Sequence, residues 1–345
     1  MTYARAATSR ETLYGVQYLR GLAALAVVLF HAAERSGHAF AIGAAGVDVF
    51  FVISGFIMWI ISARRPVSPG RFLAERLRRI VPVYWLATSV MLAGAAAGLF
   101  PNLVISAGHT AASLLFLPMR SPSNGEIWPV LVQGWTLNFE MFFYLVFAAA
   151  LVLPARFRLA AVAGLFASLV AAGTLVDSND PLFLTYTSPI VFEFVAGMAI
   201  GRLWLAGRLP PVAVALALVA LSLAGFAALW LLRLPFDETV CGPLAAALVL
   251  ATVTLDRHGH VPKLALPALI GNASYSIYLW HTFAISVVAK AGPSLGLDTP
   301  FVLVAATLLG TGCGILAYVL VERPLAAVLR PRPPERRDAS PAPNG

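Results

Sequence analysis

Charge is scarce in this chain. Only 12% of its 345 residues are charged and 59% are hydrophobic, whereas an ordinary soluble domain carries about 25% charged residues. A soluble protein this apolar could not cover its own surface. The length alone would allow two soluble domains, but apolar runs fill the chain and leave no room for one. Cysteine is scarce as well: Cys241 and Cys313 are the two present. They lie in or beside apolar segments and suggest no disulfide framework. Several chemistries lack their signatures. There is no Walker loop and no Gly-x-Gly-x-x-Gly between strand and helix, so nucleotide hydrolysis is not suggested. There is no His-Glu-x-x-His, and the His258/His260 pair has no carboxylate or cysteine grouping around it, so no metal is expected. No Gly-x-Ser-x-Gly elbow is found; Ser54-Gly55 reads instead as a small-residue contact between helices. No internal repeat is evident.

What the chain has is long apolar stretches. A membrane-spanning helix needs about 20 mostly apolar residues, and that criterion picks out ten: Val16–Ala33, Ala44–Ala63, Val81–Phe100, Val130–Leu153, Leu159–Val176, Thr187–Leu205, Val212–Leu232, Val240–Leu255, Leu266–Ala289 and Phe301–Val321. Ala111–Met119 is too short and reads as interfacial or re-entrant. The expected fold is all-α, a polytopic integral membrane protein. Its parts are an N-terminal segment over 1–15, a transmembrane domain over 16–325, and a Pro- and Arg-rich disordered tail over 326–345. Gly70–Ile80 reads as a short basic amphipathic helix on the membrane surface.

The net charge of +8 does not point to nucleic acid, because the basic residues sit between apolar spans. With both termini cytoplasmic, nearly all arginines fall in inner segments. Only Arg35, Arg120, Arg233 and Lys290 fall outside, where Glu126, Asp177, Asp180, Asp237, Glu238 and Asp298 gather. That asymmetry fits the positive-inside rule and an even number of spans. The N-terminus has the look of a secretory signal, with Arg5 and Arg10 before an apolar stretch. A cleavable signal is the weaker reading, since that stretch holds Arg20 and His31 and further hydrophobic segments follow.

Ionisable groups inside spans are costly, about 2.5–3.5 kcal/mol at mid-helix, and mark candidate sites. Here they are Arg20, His31, Asp48, Glu140, Glu193 and His281. Arg20 and His31 share one helix face, about three turns or roughly 16 Å apart, with the cation on the inner side and the imidazole on the outer. The bland alternative is a snorkelling arginine and a histidine satisfied by a neighbouring helix. The short loop after the first span allows Asp48 to approach His31, where a carboxylate would fix the tautomer of a general base; it could equally cap its helix. Glu140, Glu193 and His281 each read as interhelical glue as readily as catalysts, but jointly they suggest one polar chamber open to the outside. On the inner side Arg76, Arg78 and Arg79, followed by Pro82 and Tyr84-Trp85, could grip a phosphorylated, ring-bearing ligand, or form an ordinary basic stop with an aromatic belt.

These residues sit in segments with a family likeness. YLRGLAALAVVLFHA (Tyr18–Ala32), GVDVFFVISGF (Gly46–Phe56), RFLAERLRRIVPVYW (Arg71–Trp85), WTLNFEMFFYLVF (Trp135–Phe147), SYSIYLWH (Ser274–His281) and VERP (Val321–Pro324) closely resemble the acyltransferase 3 family of membrane O-acyltransferases. The likeness is strongest to its bacterial exopolysaccharide acetyltransferases of the succinoglycan-modifying type, and it runs from about residue 14 to 325. The resemblance implies transfer of an acyl group, commonly acetyl, from cytoplasmic acyl-CoA to a sugar hydroxyl of an exopolysaccharide, lipopolysaccharide or lipid-linked glycan, at the bacterial inner membrane. It carries roles with it. His31 matches the essential histidine and Arg20 its basic partner; Arg76 and Arg79 match the inner basic motif that holds CoA phosphates, with Arg78 and Tyr84 beside them; Asp48, Glu140 and His281 occupy matching positions. Direct attack with His31 as base and a covalent acyl-enzyme are both open. Implied partners are the acceptor glycan, acyl-CoA and the bilayer, with polysaccharide-assembly proteins or a second copy of the chain as further candidates. The competing classes are a transporter or flippase for a lipid-linked sugar or acyl group, against which the lack of duplicated halves counts, and a non-catalytic scaffold.

Overall fold

The computed structural model describes residues 12–64 and 66–329, and within them the regular secondary structure is helical throughout. In chain order the helices are α1 (Tyr14–Arg35), α2 (Gly46–Arg64), α3 (Pro69–Ala96), α4 (Ala107–Leu114), α5 (Gly134–Ala150), α6 (Ala155–Leu175), α7 (Pro181–Tyr186), α8 (Val191–Leu205), α9 (Val212–Leu231), α10 (Glu238–Arg257), α11 (Ala265–Ser294), α12 (Thr299–Ala317) and α13 (Arg323–Val328). A 3₁₀ turn over Ala41–Ala45 leads into α2, and a π-type turn over Tyr318–Glu322 joins α12 to α13. The expectations for the N-terminal segment up to position 11, for Arg65 and for the tail from Arg330 lie outside the described residues.

Eight helices among the described residues are long and apolar enough to cross a membrane. Two others stand where spans were expected but fall outside that set. Helix α5 is only 17 residues long. Helix α11 carries Asn272, Ser274, Tyr275, Ser276, Tyr278 and His281 through its middle turns, which dilutes its hydropathy. The expected surface helix over Gly70–Ile80 and the span after it are one element: α3 runs unbroken through Pro82. Its start is fixed by Ser68, whose hydroxyl accepts the Arg71 N–H at 3.4 Å, and by Pro69 in the first turn, where no N–H is needed. Helix α4 has eight residues, about 12 Å, far short of a bilayer core of about 30 Å.

Helix α1 lies at the centre, packed on α2, α10, α11 and α12, while α2 is clamped to α8. Small residues set these crossings, as expected where no water drives helices together. An added Cβ on Gly271 would lie 2.0 Å from the Gln17 carbonyl oxygen, one on Gly55 2.0 Å from that of Phe194, and one on Gly197 1.9 Å from that of Val52. The bundle has a basic end, where Arg64 and Arg257 flank the Trp204 ring at 5.1 and 5.2 Å and the Tyr18 hydroxyl donates to the Pro262 carbonyl. It has an acidic end, where Asp180, Asp237 and Asp298 cap the N-termini of α7, α10 and α12. Part of the acidic bias of those loops is therefore helix capping, which the macrodipole favours.

Candidate active site

Helix α3 builds a pocket at the basic end. Arg76 and Arg79, three apart, share one face. With Arg78, Pro82 and Glu322 they line a pocket of about 230 Å³ whose far wall is Leu325, Ala326 and Leu329 of the α13 region. The nearby acid Glu75 is already engaged by Arg71, Nε to Oε1 at 3.0 Å, which leaves the other arginines in excess. The Arg76 Nε is buried without an acceptor. Cations beside an apolar wall suit a ligand that carries both phosphate and a flat apolar group.

Arg79 lines a second, deeper cavity of about 90 Å³ together with Arg20, Ser54, Glu140, Tyr144 and Tyr275, enough for a few water molecules. Glu140 is held from two sides: the Ser54 hydroxyl donates to its Oε1 at 3.2 Å and the Tyr144 hydroxyl donates to the same oxygen. The Tyr275 hydroxyl donates to the Ile80 carbonyl at 2.8 Å, tying α11 to α3. The π-type turn swings Glu322 inward, where it accepts from the Ser276 hydroxyl at 2.6 Å; such turns recur at functional sites. Arg20, Arg79, Glu140 and Glu322 act on one another electrostatically. Among the described residues neither arginine makes a hydrogen bond or close ion pair, so both keep donors for a guest.

A separate polar centre stands towards the acidic end. The rings of His31 on α1 and His281 on α11 lie 5.2 Å apart, inclined by 32°. His31 Nδ1 is 3.4 Å from Glu34 Oε2. Because a carboxylate only accepts, Nδ1 is the donor and Nε2 keeps its lone pair. His281 is fully buried, with Nδ1 2.9 Å from the Ile277 carbonyl and Nε2 without a partner. The same reasoning makes Nε2 its unprotonated nitrogen. His31 is partly open, its side chain 26% exposed, so it is the member a substrate can reach.

Three sequence expectations meet a different geometry. Asp48 does not pair with His31. It faces Glu193 on α8, with Cys241 nearby, and the carboxylate at His31 is Glu34. Asp48 shares a helical stripe with Val52 and Gly55, which are pressed against α8, and the 3.6-residue period takes it away from α1. The polar residues therefore form three groups, His31/His281, Arg20/Glu140 and Asp48/Glu193, not one chamber. Tyr84 is set apart from the basic pocket: it is fully buried, packs against the Phe116 ring at a centroid distance of 4.9 Å and a tilt of 34°, and donates to the Ser113 carbonyl at 3.1 Å. Tyr84→Phe is expected to leave the donor KM unchanged and to lower stability by about 0.5–1.5 kcal/mol, the worth of one hydrogen bond; titrating donor and following thermal unfolding checks both. Sequence reading saw in Ser54 only a helix contact and gave no role to Tyr144, Tyr275, Glu34 or Glu322. Only Glu322, an acid following an apolar run, left a signal that could have been followed. Among the described residues no three His, Cys, Asp or Glu side chains are grouped to hold a metal.

A family model described as an acyltransferase domain matches residues 13–319. The chain belongs to the acyltransferase 3 family. It is 64% identical over 298 residues to the exopolysaccharide production protein ExoZ of Rhizobium meliloti (strain 1021), covering 86% of this chain and 94% of that one. It is 30% identical over 335 residues to the putative membrane-bound transacylase BcsY of Komagataeibacter xylinus, covering 88% and 81%. The peptidoglycan O-acetyltransferase OatA of Listeria monocytogenes is 24% identical over 85% of this chain, which spans about half, 52%, of that relative. No solved structure matches the chain. As a member of the acyltransferase 3 family the chain is a multi-pass membrane O-acyltransferase, and both arginine sites and the histidine pair lie within the matched region or at its edge.

Proposed function

We propose that this enzyme takes an acetyl group from cytoplasmic acetyl-CoA and transfers it to a sugar hydroxyl of an exopolysaccharide or its lipid-linked precursor at the bacterial inner membrane. In this reading ten helices of the 16–325 domain cross the bilayer, α5 and α11 included, with the basic end and both termini cytoplasmic. The CoA phosphates rest on Arg76, Arg78 and Arg79, and the pantetheine arm carries the thioester past Arg79 into the cavity of Arg20 and Glu140. The glycan enters from the acidic end. His31 Nε2 takes the proton of the sugar hydroxyl as that oxygen attacks the thioester carbonyl carbon. The tetrahedral intermediate collapses with cleavage of the C–S bond. The ester remains on the sugar, and the departing sulfur takes the proton back from the imidazolium. Glu34, at Nδ1, fixes the tautomer and steadies the cation that forms.

The observation that carries this reading is Arg79 lining both cavities, so that one cation borders the basic mouth and the interior alike. The likeness to an exopolysaccharide production protein supports the acceptor class. The test is direct: membranes containing the protein, given acetyl-CoA labelled in its acetyl group and extracellular polysaccharide from cells lacking the protein, should yield base-labile label on the glycan. Label that enters no glycan ester overturns the proposal. Arg79→Ala should raise the donor KM about 10- to 100-fold, the worth of a charged hydrogen bond at about 1.5–3 kcal/mol. Arg79→Lys should fall between, since an ammonium keeps the charge but not the fork.

A further inference from the structure

The histidine pair does not line the arginine cavity, so something stands between them. Two aromatic side chains do. Phe50 of α2 and Tyr278 of α11 both line the cavity and meet edge to face, centroids 6.0 Å apart at 67°. The Tyr278 and His281 ring centroids lie 6.3 Å apart, and His281 is in turn the neighbour of His31. Roughly one ring therefore separates the cavity from the histidines. Tyr278 is the fixed half: it is buried, accepts from the Thr136 hydroxyl at 3.0 Å and donates to the Gln133 carbonyl at 3.2 Å. Phe50 is only partly buried and is held by apolar contact alone, so it is the half that can give way.

We propose that Phe50 and Tyr278 form the neck through which the acyl group passes from the arginine cavity to His31, and that this neck restricts the donor to the shortest acyl chains. The inference rests on the acyl-CoA reading above. An acetyl group needs only a small rotation of Phe50. A longer chain must push the ring into the apolar cluster behind it, where a packed interior resists added volume. Each extra methylene meets that resistance, and a pocket of fixed size discriminates by about 10- to 200-fold per methylene.

The experiment uses membranes from a strain lacking the native protein and expressing either wild type or a variant, supplied with acetyl-, butyryl- or hexanoyl-CoA labelled in the acyl group. Base-labile label on the glycan is measured. The wild type is expected to prefer acetyl over hexanoyl by at least about ten-fold, and Phe50→Ala to raise the hexanoyl-to-acetyl ratio by about ten-fold or more. Phe50→Leu, closer in volume to the native ring, guards against loss of folding and should give a smaller shift in the same direction. Wild-type transfer of hexanoyl as readily as acetyl, or an unchanged ratio in folded Phe50→Ala and Phe50→Leu, overturns the neck while leaving acyl-CoA as donor. Failure of the wild type with all three donors overturns the donor assignment, and the neck with it.

Discussion

His31→Ala should lower acyl transfer by about 10²–10⁴-fold, the usual worth of a general base, at unchanged protein abundance. The expectation of normal folding comes from the site. The His31 side chain is 26% exposed and its polar partner is Glu34 on the same helix, so truncation breaks no hydrogen bond between helices and gives up only the ring contact with His281. His281 is the useful contrast, because it is fully buried between α11 and its neighbours, and its loss would mix packing with chemistry. Activity is read as labelled ester on the glycan, and abundance by immunoblot of the same membranes. The His31→Gln side chain can hydrogen-bond but cannot take up a proton at neutral pH, so it should be as inactive as the alanine variant. Transfer retained in either, at normal abundance, would remove the imidazole from the reaction and with it the direct-attack mechanism.

Much of this arrangement was written in the linear order of residues, and the rest was not, for identifiable reasons. Long apolar runs give helices because in lipid every backbone amide must be satisfied within its own segment. The position of Arg20 three turns below His31 followed from helical rise alone and holds in the unbroken α1. What one chain order cannot carry is rotation between helices. Asp48 looked like a partner for His31 because their helices are consecutive, yet its stripe with Val52 and Gly55 faces α8. Tyr84 sits five residues beyond Arg79, but it shares the buried stripe of Ile80, Ala87 and Thr88 and is turned away from the arginines. Glu140 gained its meaning only from Ser54 and Tyr144, one on another helix and one a turn away. Glu322 depends on a π-type turn that no periodic pattern announces.

The crossing of α2 and α8 supplies the second large effect. At Gly55 and Gly197 an added Cβ would fall 2.0 and 1.9 Å from carbonyl oxygens of the opposing helix. Those atoms are backbone and cannot rotate aside, so any larger residue must push the helices apart. In a bilayer, contact between helices rests on close van der Waals packing and has no hydrophobic drive to restore it, and overpacking costs typically about 1–3 kcal/mol, occasionally more. Gly55→Val with Gly197→Val should therefore deplete folded protein, seen as loss of the monodisperse peak in detergent chromatography and a lowered unfolding midpoint. Gly164→Ala and Gly312→Ala, where an added Cβ meets nothing within 4 Å, should leave both unchanged or slightly improved, since alanine is the better helix former. The damage should reach the chemistry too. Ser54, which donates to Glu140, and Phe50 ride on the displaced α2, so whatever folded protein survives should transfer acyl groups more slowly per molecule. A double variant with wild-type midpoint and wild-type specific activity would mean that α2 and α8 do not meet at these glycines, and that the cavity they border is built some other way.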